Sequence, residues 1–259
     1  MAKKKTAAKK TTAKTPRAAN KTATLEKKPL TLAQQAAQVK RKIEKRNKLF
    51  AAADDAGKRV LIAQDVIAQI KLGKFNPVTG SWVDTYDYKH NVLAAAGYDL
   101  GNLSPVTPLP DIDEDSRSVR EDFFAGLTGT CSCCALGAMF MSCTLNNNKT
   151  TMADLNDVQY SLGEFVEDRV KSGPMKNGLT KFFSFAQLKL IEQAFEGGDG
   201  GWGIDLYRNP RTGDHLVDAR EPSPVEARTF AWIEKYPKDA DRLVAIMTNI
   251  VKNNGTFVV

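Results

Sequence analysis

The most informative part of the sequence is Cys131-Ser-Cys-Cys-Ala-Leu-Gly-Ala-Met-Phe-Met-Ser-Cys143. Its uninterrupted apolar run, from Cys133 to Met141, is nine residues long, far short of the roughly 20 residues that span a bilayer. Small residues are dense here, including Ala135, Gly137 and Ala138. Because small side chains let neighbouring elements approach closely, we expect residues 133–143 to form a buried helix whose cysteines pack in the core.

Helical patterns also lie on the N-terminal side of this stretch. Apolar residues recur at steps of three or four, with Lys and Arg on the other face, at Leu32, Ala36, Val39, Ile43 and Phe50. A second stripe predicts a helix over Lys58–Leu72, and Gly73 stands where a helix end expects glycine. Residues 75–88 contain Pro77 and Gly80 and indicate a hairpin or a short strand pair.

Four helices are predicted around and after the cysteine stretch. The first covers Arg117–Leu127, and the second opens at Ser184 with a capping box and ends before Gly197. Ser223-Pro224 opens the third. The last begins near Asp239 and buries Leu243, Ile246, Met247 and Ile250 before Asn254-Gly255 ends it. The predicted fold class is therefore mainly α: a compact helical body with a short hairpin or strand pair, preceded by a disordered basic tail.

Charge is distributed unevenly along the 259 residues, whose formal net charge is +7. Residues 1–31 carry ten Lys or Arg and one acidic residue, Glu26. Residues 32–50 add six basic residues against Glu44. The remaining 209 residues carry 21 basic and 28 acidic side chains, a net charge of −7. A basic leader (residues 1–50) thus precedes an acidic body.

Composition and charge together predict three segments. Residues 1–31, rich in Lys, Ala and Thr, hold too few large apolar side chains to offset the entropy of ordering and are predicted to be disordered. Residues 32–57 form a basic amphipathic helix, and residues 58–259 form the acidic, mostly helical globular body.

The basic leader predicts non-specific contact with nucleic acid, because Lys and Arg neutralise phosphates and release their counterions. No aromatic residue lies between Met1 and Leu49, so the leader offers no base stacking. Two alternatives stay open: a solvated tail that aids solubility or serves as a targeting signal, and a tail that binds an acidic protein or the acidic body of its own chain. The predicted nucleic-acid-binding residues are Lys3, Lys4, Lys5, Lys9, Lys10, Lys14, Arg17, Lys21, Lys40, Arg41, Lys42, Lys45 and Arg46.

The cysteines allow a competing class of function. Cys131 and Cys134 form a Cys-x-x-Cys at the expected start of a helix, where the helix dipole would lower the thiol pKa values. Such a pair serves as a redox dithiol, as half of a zinc site completed by Cys143, His90 or His215, or as a nucleophile in a Cys134–His215–Asp218 arrangement. The fourth interpretation is structural, with small buried thiols, and we prefer it. Neither a metal nor a cofactor is predicted.

Two further motifs resemble ligand sites without fitting them. The run from Asp111 to Asp115 imitates the opening of a calcium loop whose twelfth position is Asp122, but Ser116 stands where the loop needs glycine. The glycine-rich residues 197–203 follow a predicted helix instead of a strand, so they lack the context of a phosphate-binding loop. We interpret the first as a solvated acidic linker and the second as a loop.

Several blocks of the body resemble an uncharacterised group of phage and bacterial helical proteins. They are residues 59–71, 131–140, 187–196 and 242–257, including the Cys-x-x-Cys-Ala-Leu-Gly-Ala block. The resemblance implies a phage or prophage origin and brings no activity or catalytic residues; the basic leader is not part of it. The leader separately resembles linker-histone and bacterial histone-like tails in composition.

These observations predict a non-enzymatic phage-type protein that binds nucleic acid through its tail and an unknown protein partner through its body. The alternatives are a cysteine-dependent enzyme or zinc protein centred on Cys131 and Cys134, and a virion or head-packaged structural protein. No apolar region follows the first basic residues, so a secretory signal is not expected. We expect the protein to lie in a reducing compartment, the host cytoplasm or nucleoid, with the virion as a second possible location. No membrane contact is expected.

Overall fold

The computed structural model describes residues 31–85, 87–99, 101, 113, 116–147, 150–153, 155, 178–197 and 224–259. The helices in these ranges are α1 (Leu32–Ala52), α2 (Asp55–Lys71), α3 (Tyr88–Ala95), α4 (Val119–Ala125), α5 (Ala135–Asn147), α6 (Phe185–Glu196), α7 (Pro224–Lys235) and α8 (Asp239–Lys252), with a 3₁₀ helix at Leu179–Lys181. The strands are β1 (Phe75–Pro77), β2 (Val83–Thr85) and β3 (Cys131–Cys133). The mainly α class with a few short strands is confirmed.

Helix α5 lies at the centre of the unit that covers Leu32–Val259. Every residue from Ala135 to Asn146 is buried, and α1, α2, α4 and α6 pack around the helix. A helix that is apolar on all sides must be covered on all sides. Fully burying a Leu, Met or Phe side chain contributes about 1.5–3 kcal/mol, so α5 supplies much of the apolar burial of the fold.

A three-stranded sheet, ordered β1-β3-β2, stands beside α5. Strand β3 pairs in parallel with β1 (Phe75 opposite Cys131) and antiparallel with β2 (Val83 opposite Cys133). The predicted strands within 75–88 therefore exist, but they do not pair with each other as a hairpin, because β3 lies between them. The sequence pattern does not predict β3 itself: three residues are too few for periodicity to register, and its partners are distant in the chain.

The close approach expected of the small residues occurs at Gly137. A Cβ atom on this residue would lie 1.7 Å from the carbonyl oxygen of Trp82. The backbone of α5 thus rests directly on the chain that enters β2, while the Trp82 and Phe140 rings pack with centroids 5.5 Å apart. Only glycine fits this contact.

Helix boundaries follow the capping residues. The Ser184 side chain accepts a hydrogen bond from the backbone amide of Gln187, and Gly197 ends α6 in the left-handed conformation, so the predicted start and end of this helix are confirmed. The capping box is not completed, because the Gln187 side chain bonds the Phe257 backbone instead. The basic helix expected over 32–57 ends earlier, at Ala52, because Asp54 caps a new helix by accepting from the Gly57 amide at 2.7 Å. A single capping carboxylate separates α1 from α2.

The C-terminal region forms as predicted. Leu243, Ile246, Met247 and Ile250 line the buried face of α8. After Gly255 the chain packs back onto the body, and Phe257 is buried. Gln187 of α6 holds this end through two hydrogen bonds with the Phe257 backbone, donating at 3.2 Å and accepting at 2.7 Å.

Candidate nucleic-acid interface

The basic residues of α1 divide between an exposed face and the core. Lys40, Arg41, Lys42, Lys45 and Lys48 are exposed. On the opposite side, Phe50 is buried and Val39, Ile43 and Arg46 are partly buried against the body. The sequence places three of the exposed residues, Arg41, Lys45 and Lys48, at i, i+4 and i+7, so they share one face of the helix. We call these three residues the basic stripe.

The geometry of the basic stripe follows from the helix. With about 100° of rotation per residue, its three positions fall within an arc of about 60°, nearly opposite the side that packs on the body. From Arg41 to Lys48 the helix rises about 10 Å. None of the three has an ion-pair partner within the described part of the chain. Glu44 is exposed at the margin of the basic stripe. Lys48 is not among the nucleic-acid-binding residues predicted from the sequence. Its spacing of seven residues from Arg41 places it on the same helix face and could have identified it.

Arg46 lies apart from the other basic residues of α1. Its Nη1 donates to Asp65 Oδ1 at 2.8 Å and its Nη2 lies 2.7 Å from Asp65 Oδ2. Gln69 and Ser142 also donate to this carboxylate, at 2.9 and 2.8 Å. The guanidinium stacks over the Phe124 ring, 5.5 Å from its centroid. Arg46 therefore joins α1 to α2, α4 and α5, and its charge is neutralised inside the protein.

Two more contacts fasten the C-terminal half of α1. Asn47 Oδ1 accepts a hydrogen bond from Arg120 Nη1 of α4 at 2.9 Å. The buried Phe50 ring meets Phe182 edge-on with centroids 5.3 Å apart. In contrast, residues 33–38 are all exposed. The N-terminal half of α1 is thus more exposed than the last two turns, which are fixed to the body. The other predicted contact residues (Lys3, Lys4, Lys5, Lys9, Lys10, Lys14, Arg17 and Lys21) lie outside the described residues.

The expectation of a lowered thiol pKa at Cys131 and Cys134 is wrong. Cys131 lies in buried strand β3 and not at a helix start, and burial raises its pKa to about 11. Burial raises the pKa of Cys134 to about 12; repulsion from Glu196 and Glu192 acts in the same direction, against the hydrogen bond from the Gly137 amide. Burial also raises the pKa values of Cys133 and Cys143. All four thiols are free, and these environments disfavour thiolate.

No three His, Cys, Asp or Glu side chains come together as a metal site among the described residues. His90 is exposed on α3, whereas Cys131, Cys133 and Cys143 are buried. His215 and Asp218, named for a zinc site or a nucleophile, lie outside the described residues. Asp122, the twelfth position of the imitated calcium loop, is held by Arg117 through two hydrogen bonds (2.9 and 2.7 Å) and by the Tyr88 hydroxyl (2.6 Å). These contacts fix Asp122 to the start of α4 and to α3.

A cluster that the sequence did not reveal surrounds the connection between β1 and β2. Asp239 Oδ2 accepts from the backbone amide and the hydroxyl of Thr79, both at 2.9 Å. Glu196 Oε2 accepts from the amide of Gly80 at 2.7 Å. We call these two carboxylates the turn clamp. Arg242, almost fully buried, donates to Asp239 Oδ1 and to Thr79 Oγ1 and is the cation that faces them.

The turn clamp places two carboxylates against one guanidinium. Burial raises the pKa of Glu196 to about 7, and repulsion from Asp239 adds to this effect. The Gly80 amide and Arg242 act in the opposite direction. Glu196 therefore titrates close to neutral pH while it holds a turn of the fold.

Comparison of the chain with protein-family models, with curated proteins and with solved structures gives no match. Within the described ranges, no helix combines the length and the apolar character needed to cross a membrane. Function is therefore inferred from the charges, burial and contacts of this chain.

Proposed function

We propose that this protein binds nucleic acid without sequence preference through its basic leader, and that the acidic body is a protein-interaction module. The observation that carries the proposal is the arrangement of α1. The basic stripe lies on the face away from the body, and the basic residue of α1 that faces the body, Arg46, is neutralised by Asp65.

Charge supports the same proposal. Counterion release makes a flexible or helical array of Lys and Arg sufficient for binding a polyanion, with no base contacts. Residues 51–259 carry a net charge of −7, so they repel phosphates, and binding is confined to the leader. The high thiol pKa values weigh against the alternative of a cysteine-dependent enzyme.

The test replaces charges in the full chain and keeps its length. Lys3, Lys4, Lys5, Lys9, Lys10, Lys14, Arg17 and Lys21 are changed to Gln, and affinity for a mixed-sequence duplex is measured across a salt series. We expect weaker binding and a shallower salt dependence, by about 0.9 in the slope of log K against log[salt] for each phosphate that the chain no longer neutralises. Unchanged affinity and slope would reject the proposal. A matched variant with Thr6, Thr11, Thr12 and Thr15 changed to Ala keeps every charge and should bind like the parent.

The proposal also covers biological context. A phage origin places the protein in the host cytoplasm or nucleoid, and the same tail suits a protein packaged with DNA in the virion. Detection of the chain in purified particles would support packaging. If the body is a protein-interaction module, the variant whose tail lysines and arginine are changed to Gln should still bind a protein partner. If that variant bound none of the partners of the parent chain, the body would not be the interaction module.

A further inference from the structure

We infer that α1 docks in the major groove of duplex DNA, with the basic stripe against the phosphates along one edge of the groove. This inference rests on the proposed nucleic-acid binding and names its substrate class. Three observations carry it: the exposure of α1, the spacing of the basic stripe, and the residues that the leader lacks.

The exposure of α1 suits insertion into a groove. Residues 33–38 are exposed, and the basic stripe is exposed on the side of α1 that lies away from the body. A helix with its side chains is about 10–12 Å across, and the major groove of B-DNA is about 12 Å wide. The first turns of α1, of which residues 33–38 are exposed, therefore match the width of the groove.

The basic stripe matches the phosphate density of a duplex. Its three charges lie along about 10 Å of helix, whereas duplex DNA presents one phosphate charge per roughly 1.7 Å of its axis. Contacts from Arg46, Asn47 and Phe50 fix this part of α1 to the body, so the backbone positions of the three basic residues are fixed. A fixed helix loses less backbone freedom on binding than a tail does. The acidic body, repelled by phosphate, turns the outer face of α1 toward the DNA.

The composition of the leader favours the B-form duplex over the other nucleic acids. Recognition of single strands uses aromatic side chains on which bases stack, and residues 1–49 contain none. Phe50, the first aromatic residue, is buried. Double-stranded RNA has a deep and narrow major groove that does not admit protein elements. A rigid helix with exposed charges and no stacking residues therefore fits duplex DNA best.

The experiment compares the full chain with the variant R41Q/K45Q/K48Q on three probes: a mixed-sequence DNA duplex of about two helical turns, an RNA duplex of the same sequence, and one of the DNA strands. The matched control is K71Q/K238Q/K252Q, which removes the same charge from exposed positions elsewhere. We expect the slope of log K against log[salt] on duplex DNA to become shallower by about 2.7 in the variant with the altered basic stripe, the value for three phosphates. The control variant and the other two probes should show little change.

The groove itself is read by methylation with dimethyl sulfate, which modifies guanine N7 in the major groove and adenine N3 in the minor groove. At saturation, the parent chain should protect guanine N7 from methylation and leave adenine N3 reactive. The R41Q/K45Q/K48Q variant should not protect guanine N7. Salt-sensitive binding with equal slope changes on all three probes, or with guanine N7 unprotected, would overturn the major-groove inference while the proposed function stands. Absence of salt-sensitive binding by the parent chain would overturn both.

Discussion

Replacing Glu196 by Gln should stabilise the protein at alkaline pH. The carboxylate of Glu196 is held beside Asp239 in a partly buried site, which raises its pKa from the ordinary 4.5 to about 7. The folded chain therefore binds more protons than the unfolded chain between these two pH values, and stability falls as the pH rises through them. The amide of Gln carries no charge, and its oxygen still accepts the hydrogen bond from Gly80.

The magnitude follows from the pKa difference. Since a tenfold change in proton affinity corresponds to about 1.4 kcal/mol, a pKa of about 7 sets an upper limit of about 3 kcal/mol. Solvent contact of the carboxylate reduces this value, so we expect a gain of about 1–2 kcal/mol at about pH 8. Near pH 4.5 the carboxyl of the folded parent is protonated, and the advantage should disappear.

The assay is urea unfolding of the full chain across this pH range. The matched control is Glu234→Gln, an exposed position on the neighbouring helix α7, which should shift stability by less than about 0.5 kcal/mol. An E196Q protein that is no more stable than the parent at about pH 8, or equally stabilised at all pH values, would refute the role assigned to the turn clamp.

Three further predictions concern the core. Arg46→Ala leaves the Asp65 carboxylate without its cation and should destabilise the protein by about 3 kcal/mol in urea unfolding. Arg41→Ala, on the exposed face of α1, should cost less than about 0.5 kcal/mol. Equal effects of the two substitutions would show that the Arg46 ion pair is not structural. Gly137→Ala places a Cβ atom 1.7 Å from the Trp82 carbonyl oxygen. Because the backbone must shift, this substitution should cost about 3 kcal/mol or more and lower the thermal midpoint. Ala138→Gly adds no atom, so if it destabilised the protein as much as Gly137→Ala does, the steric explanation would be wrong. Because Cys131, Cys133 and Cys143 are buried and their pKa values are raised, they should not react with a thiol reagent in the native protein. All four cysteines should react in concentrated urea. Fast labelling of Cys131 in the native protein would contradict this prediction.

Local signals in the sequence are enough to predict most helices. The capping Ser184, the glycine at 197 and the apolar stripe of α8 each act within one or two helical turns, so the neighbouring residues determine them. The small residues of 133–143 likewise predict the buried helix α5, although it begins two residues later, at Ala135, because Cys133 belongs to β3.

Features that depend on distant residues cannot be predicted in this way. Strand β3 forms because it pairs with residues 75–77 on one side and 83–85 on the other, and no local sequence pattern predicts that pairing. For the same reason the sequence predicts Cys131 at a helix start with a lowered pKa, although it lies in a buried strand. Arg46 has the same sequence appearance as Arg41, and only the position of Asp65 on α2 separates their roles. The turn clamp joins residues 79, 80, 196 and 239, which are close only in the folded chain.

The decisive experiment for the basic leader is the salt dependence of duplex DNA binding by the full chain. If six to ten basic residues of the leader contact phosphate, log K should fall against log[salt] with a slope between about −5 and −9. Affinity should then drop by a factor of about 10³–10⁵ between 50 and 200 mM salt. A slope close to zero, or no binding at the lower salt concentration, would contradict the assignment of the basic leader to nucleic acid.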